Sequence, residues 1–277
     1  MPRYLGIDLG GTTCRVGAYD SLDDPKQTDI RIFEWDGAYK KDFPRMLEAI
    51  DELSQGGDLG GIGIGTAGSV DAARTRIEVS PNQPTWNGQP LVEPIRKRFG
   101  VSVGLANDAE AAALGEAAFG YGKGSDFWFV IWGTGIGAAF VRGSEVRQTE
   151  MGHAVMDPSG PECPGCRVRG CVESFAGGRA LEARFGKPPK ELDDNEWAQA
   201  EKAMGCFVYN LFRASESELV VIGGGVAGKQ PKRLPTVEAE ARKFFHEHTV
   251  PKVVGSKLGE QGGLIGALAV LQQFGKP

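Results

Sequence analysis

The sequence predicts an α/β protein made of two related domains, and three observations carry that prediction. Apolar runs end three times in a glycine cluster, at Gly10-Gly11-Thr12, at Gly133-Thr134-Gly135 and at Gly223-Gly224-Gly225. The first two clusters sit in the same design of strand, glycine turn and second strand, about 125 residues apart, which reads as an internal duplication. Helical patterns fill the intervals. Glycine is abundant, 41 of 277 residues, roughly twice average usage and without the collagen period. Such clusters mark tight turns or loops that bring backbone close to a phosphate.

In chain order, YLGIDLGGTTCRVGAYD gives a strand from Tyr4 to Leu9, the first glycine turn, and a strand from Cys14 to Tyr19. A helix is predicted over Asp42 to Leu53, with Asp42 as cap, Pro44 in the first turn, and Phe43, Leu47 and Ile50 at helical spacing. GIGTAG, Gly63 to Gly68, fits the dinucleotide pattern literally. The stretch after it, SVDAARTRIEVSPN, reads as a turn and a strand, so neither the required helix nor the ribose acid follows. VSVGLA is a strand leading to Asn107-Asp108, and Asp108 to Phe119 is an alanine-rich helix stopped by Gly120. FWFVIWGTGIGAAFVRG then repeats the opening design. GKPPKELDDNE, 186–196, reads as an exposed polar loop, followed by a helix from Gln199 to Arg213. ELVVIGGGVAGK is a buried-type strand running into the third cluster. GGGVAGKQ approaches a P-loop, but Gln230 stands where a magnesium-binding hydroxyl belongs and Pro231 follows. Leu264 to Gln273 is a further helix. No linker or low-complexity tract separates the domains.

Bulk properties narrow the class. Net charge is −5, which favours neither nucleic acid nor any other polyanion as partner. No secretory lead is visible, and FWFVIW is too short to span a bilayer. Five cysteines do not read as a secreted disulfide framework. The expectation is a cytoplasmic protein without a membrane partner.

Glycine–threonine hairpin turns can wrap phosphate oxygens with backbone N–H groups and hydroxyls, without a P-loop lysine. Asp8, just before the first turn, would then face the magnesium that neutralises them. Ordinary β-turns explain one such hairpin equally well. Two repeated hairpins and a third cluster favour a two-domain phosphotransferase. Asp108 has two readings as well, a helix cap or a proton acceptor. ECPGCRVRGCVESF, 162–175, packs Cys163, Cys166 and Cys171 into nine positions, which points to a disulfide, a redox pair or a metal.

Taken in order, GIDLGGT, ANDAEAAALGE, GTGIGAAFVRG, EMGH, GCVES and VIGGGVA resemble the motifs of ROK-family sugar kinases, from Tyr4 to about Leu271. The resemblance implies an α/β fold of two duplicated actin-like, ribonuclease H-like ATPase domains with a central cleft. It also implies a small sugar- and phosphate-binding domain over 1–110 plus 262–277. A large domain over 111–261 would carry the zinc loop and the adenosine-side turn. The implied activity is transfer of the γ-phosphate of ATP to the 6-hydroxyl of a hexose, with glucose as first choice. Asp108 falls on the family's catalytic base. Gly68, Asn82, Asn107, Asp108, Glu150, His153 and Glu173 fall on the sugar site. Asp8, Gly10, Gly11 and Thr12 match the first phosphate turn, Thr134 and Gly135 the second, and Gly223 and Gly224 the adenosine-side turn. ATP, Mg2+ and a structural Zn2+ are the implied cofactors, and many members are homodimers.

The chain also departs from the family pattern. Thr13 replaces a lysine after the first turn, and Thr149 replaces a glycine before EMGH. The segment from Arg142 to Thr149 is shorter than usual. In the zinc pattern Cys163 lies one residue further out, giving C-x-x-C, and Arg167 replaces a glycine. C-x-x-C is itself a zinc-chelate spacing, so His153, Cys163, Cys166 and Cys171 are the expected ligands. A nucleic-acid zinc module needs a second ligand pair and a basic face, and a redox C-x-x-C opens a helix; neither is seen here. Cys14 and Cys206 read as plain buried thiols, and His246 and His248 as a solvated helix end. Other substrates within the same reading are fructose, mannose, ManNAc, GlcNAc and allose, with polyphosphate as another donor. From other classes come a non-catalytic sugar-responsive regulator and a nicotinamide-dependent oxidoreductase. Only three residues precede Tyr4, which favours the kinase over the DNA-binding branch.

Overall fold

The structure, a computed structural model, describes residues 2–10, 12–54, 58–80, 83–143, 145–246 and 249–275. Gly11, Asn82 and His248 lie outside these residues. The chain divides into two compact units, Met1–Phe119 with Gln261–Pro277, and Gly120–Glu260.

The first unit contains β1 (Arg3–Leu9), β2 (Thr13–Tyr19), β3 (Gln27–Glu34), α1 (Tyr39–Ser54), β4 (Leu59–Thr66) and a small hairpin of β5 (Ser69–Val70) and β6 (Ile77–Val79). It continues with α2 (Val92–Phe99), β7 (Val103–Asn107) and α3 (Asp108–Phe119). The second unit runs through β8 (Phe127–Trp132), β9 (Ile136–Arg142), β10 (Glu145–Thr149), α4 (Val172–Ala176), α5 (Gly178–Phe185) and α6 (Asp194–Ser215). It ends with β11 (Leu219–Gly223), α7 (Gly225–Lys229), α8 (Leu234–Arg242) and β12 (Lys252–Gly255). The chain then returns to the first unit as α9 (Gly262–Phe274).

Each unit has one five-stranded sheet, ordered β3-β2-β1-β4-β7 in the first and β10-β9-β8-β11-β12 in the second. In both, the first three strands form antiparallel hairpins and the last two join in parallel. The duplication read from the two glycine hairpins is therefore a duplication of topology. β3, polar and largely exposed, and β10, polar and partly exposed, each form one edge of their sheet.

Alternation along β1 sorts its two faces. Leu5, Ile7 and Leu9 are buried with Phe43, Met46, Ile50 and Leu53 of α1. On the opposite face, Gly17, Gly6, Gly63 and Gly104 stand side by side across β2, β1, β4 and β7. Helix α9 lies directly on this bare stripe. A Cβ on Gly6 or Gly63 would overlap the carbonyl of Leu264 or Ala267, and one on Gly104 would fall 2.7 Å from the Val270 carbonyl. Gly65 backs onto Ala111 of α3. GIGTAG thus resembles a dinucleotide fingerprint because both need bare backbone beneath a helix. Here the helix comes from the far end of the chain. Helix α3 stays with the first unit, where its Ala111 carbonyl meets Gly266 of α9.

The second unit is held by large side chains. The Trp132 indole donates to the Ala176 carbonyl at 2.8 Å and meets Trp197 edge-on at 5.9 Å. The Trp128 indole donates to the Leu211 carbonyl at 3.0 Å and to Ser215 Oγ at 2.8 Å. Helix α6 begins at Asp194, five residues before the predicted Gln199. The reason is a capping box that the polar-loop reading of 186–196 overlooked. Asp193 accepts from the Asn195 and Glu196 N–H groups, and Glu196 reaches back to the Asp193 N–H at 2.7 Å. Among the described residues, no helix is long and apolar enough to cross a membrane.

If the glycine stripe carries the seat of α9, Gly63→Ala should lower unfolding free energy by about 3 kcal/mol or leave no folded protein. Gly228→Ala, where an added Cβ meets nothing within 4 Å, should be neutral or slightly stabilising. Urea denaturation of both variants makes the comparison.

Candidate active site

In the first unit the expected residues gather where β7 meets α3. Asn107 is the last residue of β7, and its Oδ1 accepts from the Ala109 N–H at 2.8 Å. That is a capping bond, so Asn107 serves as a cap. Asn107 Nδ2 donates to the Gly68 carbonyl at 2.8 Å and pins the start of the β5–β6 hairpin. Its Oδ1 keeps one lone pair beyond the capping bond. Asp108 also accepts from the Ala109 N–H at 2.8 Å. The carboxyl is pushed up to about 6, first by the protein mass crowded around it and also by the like charge of Asp8. Hydrogen bonds from the Ala109 N–H and from Asn107 oppose the rise. The residue is nonetheless exposed, so solvent and substrate can reach it.

The β5–β6 hairpin is fixed to α3 a second time. Arg74 forms a bidentate pair with buried Glu110, at 2.8 and 2.6 Å, and stacks on Phe274. In the first glycine turn, Gly10 N–H donates to the Thr13 carbonyl at 3.0 Å, and Thr12 is exposed. Asp8 pairs with Arg15, whose Nε lies 2.9 Å from Asp8 Oδ2. A cation thus stands two residues beyond Thr13, the position where the family has its lysine. Gln83, wholly buried, donates its amide to the Gly10 carbonyl. It ties the segment after β6 to the first turn, a role nothing in the local sequence pattern announced.

In the second unit the turn Gly133-Thr134-Gly135 is stapled from both sides. Gly178 and Arg179, the first residues of α5, donate to the Gly133 and Thr134 carbonyls, each at 2.9 Å. Glu173 Oε2 accepts from the Ile136 N–H at 2.8 Å. Gly224 has φ +92, and a Cβ there would fall 2.6 Å from the Trp132 carbonyl, so the third cluster nests against the end of β8. The turn opens on a cavity of about 380 Å³ lined by Gly133, Thr134, Arg179, Glu182, Lys190, Gly225 and Lys229. Gly223 and Gly224 shape the backbone behind this cavity, while Gly225 and Lys229 face it. Arg179, Glu182, Lys190 and Lys229 were not singled out from the sequence. Arg179 and Glu182 come from α5, Lys190 from the short turn after it, and Lys229 from α7. Glu150, exposed, precedes the short turn that carries half-buried His153.

The cysteine stretch folds into a knuckle. The Cys163 N–H donates to the Val168 carbonyl at 2.9 Å, and the Arg167 N–H donates back to the Cys163 carbonyl at 3.0 Å. This brings ligand atoms of His153, Cys163, Cys166 and Cys171 within 4.8 Å of one another. Cys166 Sγ lies 4.0 Å from Cys171 Sγ, which lies 3.9 Å from His153 Nδ1. A tetrahedral ion with metal–sulfur bonds of about 2.3 Å needs apices about 3.8 Å apart, so the donor set fits one. The knuckle absorbs the extra residue of C-x-x-C, and Cys163 joins the cluster. Burial pushes the Cys163 thiol up to about 12 and raises Cys171 as well, so metal binding must expel protons. Cys14 is buried and Cys206 half-buried, while His246 is exposed beyond α8.

Arg167 sits at φ +63, in the region that favours glycine. That conformation costs an L-residue about 1–2 kcal/mol, against about 0.5–1 kcal/mol for the extra unfolded-state freedom of glycine. Arg167→Gly should therefore stabilise the protein by about 0.5–1 kcal/mol, read as a raised Tm at unchanged metal content.

Comparisons with known proteins agree with this arrangement. The ROK family profile matches residues 4–274. The chain is 30% identical to the glucokinase of Thermotoga maritima, over 99% of each chain. It is 28% identical to the N-acetyl-D-glucosamine kinase of Vibrio cholerae, over 95% of this chain and 98% of the relative. Its fold matches the ROK family glucokinase of Streptomyces griseus solved with glucose and AMPPNP, with a TM-score of 0.80 at 26% identity, over 98% and 99% of the two chains. With its two-domain actin-like fold and a family match along almost its whole length, the chain belongs to the ROK family.

Proposed function

We propose that the protein is an ATP-dependent hexose kinase that transfers the γ-phosphate to the sugar 6-hydroxyl, with glucose as its principal substrate. The observation that carries this reading is Asp108. Its carboxyl stands at a strand-to-helix junction, open to solvent, where Asn107 shares the capping of the helix, and is raised to about 6. A base near that value is ionised at neutral pH and still basic enough to accept a hydroxyl proton. The similar glucokinases, at 26–30% identity, support the sugar and the donor.

In this mechanism Asp108 takes the proton of the 6-hydroxyl as that oxygen attacks phosphorus in line. Asn107, Gly68 and Asn82 hold the sugar in the first unit, and Glu150, His153 and Glu173 contribute acceptors and an imidazole from the second. The turn at Thr134-Gly135 and the cavity beside it hold the nucleotide, with Gly223 and Gly224 shaping the adenosine side. We assign Gly10, Gly11 and Thr12 to the phosphates, and Asp8 as the residue that would hold magnesium. When bound, magnesium neutralises the phosphate charge. Most of the acceleration comes from alignment and charge neutralisation. We assign the base, the first phosphate turn and part of the sugar site to the first unit, and the zinc loop, the adenosine-side turn and the remaining sugar ligands to the second. Zinc is the ion proposed for His153, Cys163, Cys166 and Cys171, with all four positions filled by protein and so a structural role. The same reading makes the protein cytoplasmic and homodimeric.

A coupled ADP-release assay over hexoses and N-acylhexosamines should give the highest kcat/KM with glucose. A preference for GlcNAc or ManNAc would move the substrate assignment without moving the chemistry. Asp108→Asn should lower kcat by about 10²–10⁴-fold while glucose still binds, and near wild-type turnover would remove Asp108 from the mechanism. Because Asp108 must be ionised to act, wild-type kcat/KM should fall as pH drops through about 6, when the carboxyl of the free enzyme takes up its proton. Elemental analysis should find about one zinc per chain. Less than half of that, in folded and active protein, contradicts the zinc assignment.

A further inference from the structure

We infer that Glu173 couples the metal loop to the nucleotide turn of the second unit, so that metal and nucleotide each tighten the binding of the other. The inference rests on the nucleotide reading of the Gly133-Thr134-Gly135 turn.

One unbroken stretch of chain makes the link. Cys171, a ligand of the metal cluster, is the residue that opens α4. Two residues later Glu173 accepts the Ile136 N–H at 2.8 Å, directly after the turn. Five residues further on, Gly178 and Arg179 hold the turn carbonyls of Gly133 and Thr134. A short segment that begins at a metal ligand therefore makes three hydrogen bonds to the turn or its flank.

The carboxylate is also enclosed from both loops. A Cβ on Gly135 of the turn would overlap Glu173 Oε2, and one on Gly165 of the C-x-x-C would fall 2.5 Å from Oε1. Glu173 Oε1 lies 3.3 Å from Cys163 Sγ. Backbone from the turn and backbone from the metal loop thus press on opposite oxygens of one side chain. When the four ligands share an ion, the knuckle gives Oε1 a fixed wall, and Oε2 is held on the Ile136 N–H. Without the ion, four separate side chains have no common tether, and the carboxylate loses that wall. Glu173 is in this respect a positioning residue for the turn, in addition to its proposed contact with sugar.

Linkage makes the effect reciprocal and testable without turnover. AMPPNP affinity is measured by calorimetry on zinc-loaded and chelator-stripped protein. Zinc affinity is measured by competition with a chromogenic chelator, with and without AMPPNP. Stripping should weaken AMPPNP about tenfold, and AMPPNP should tighten zinc by the same factor. Glu173→Ala should remove the coupling from both measurements. Glu173→Gln keeps an oxygen for the Ile136 N–H and should retain it. Lys229→Ala should weaken AMPPNP in both forms without changing their ratio. If stripped protein unfolds, the zinc competition on loaded protein still decides the matter. Equal zinc affinity with and without AMPPNP, or coupling that survives in Glu173→Ala, overturns the inference while leaving the nucleotide reading in place. AMPPNP that binds neither form overturns both.

Discussion

Helix α9 brings its backbone down onto β1, β4 and β7, because Gly6, Gly63 and Gly104 present bare backbone where the carbonyls of Leu264, Ala267 and Val270 arrive. The acidic groups of the first unit depend on this contact. Gly263, near the start of α9, sits against the Asp8 carboxylate and Arg15, and Gly266 seats the Ala111 carbonyl of α3. Asp108 is the first residue of α3, so its position is inherited from how deeply α9 sinks onto the sheet. A side chain anywhere along the stripe would lift α9, and α3 with it. Protein interiors transmit such a displacement because they are close-packed.

The second unit repeats the topology with different means of cohesion. Where the first sheet is bare, the second carries Trp128, Val130 and Trp132 into a cluster with Trp197, Met204 and Phe207. Trp128 and Trp132 are anchored by indole hydrogen bonds to α6 and α4 respectively. Bulky cores tolerate rearrangement in a way that backbone-on-backbone contact does not. The more adaptable unit is also the one whose functional turn is held by polar bonds, from Glu173, Gly178 and Arg179. Duplication has conserved the path of the chain while leaving each copy to solve its own packing.

Much of this was legible in the sequence. The two glycine hairpins, the Asn107-Asp108 junction and the ligand cluster were all readable, because each signal is local in the chain. The sequence also showed that GIGTAG is no nucleotide fingerprint. It could not show what Gly63 is for, since its partner Ala267 lies some two hundred residues away. β3 escaped notice because QTDIRIFE is an edge strand with polar residues on both faces, so alternation is blurred. Gln83, Arg179, Glu182 and Lys190 are ordinary surface-type residues by composition, and they acquire meaning only from the elements that carry them. Cys163 was the point of strain in the metal pattern. The chain passes Arg167 in the left-handed conformation that the family's glycine at that position would suit, and an arginine there does not advertise it.

The interrupted first unit has a consequence for how the protein is made. The sheet of β1, β2, β4 and β7 is complete once about 107 residues have left the ribosome, yet the helix that covers its glycine face is α9. Between them comes the whole of the second unit, which takes roughly ten to thirty seconds to emerge at ordinary elongation rates. For that interval one sheet face waits uncovered, with little side-chain bulk of its own to shield it. The second unit, contiguous in the chain, thus has the opportunity to fold before the first.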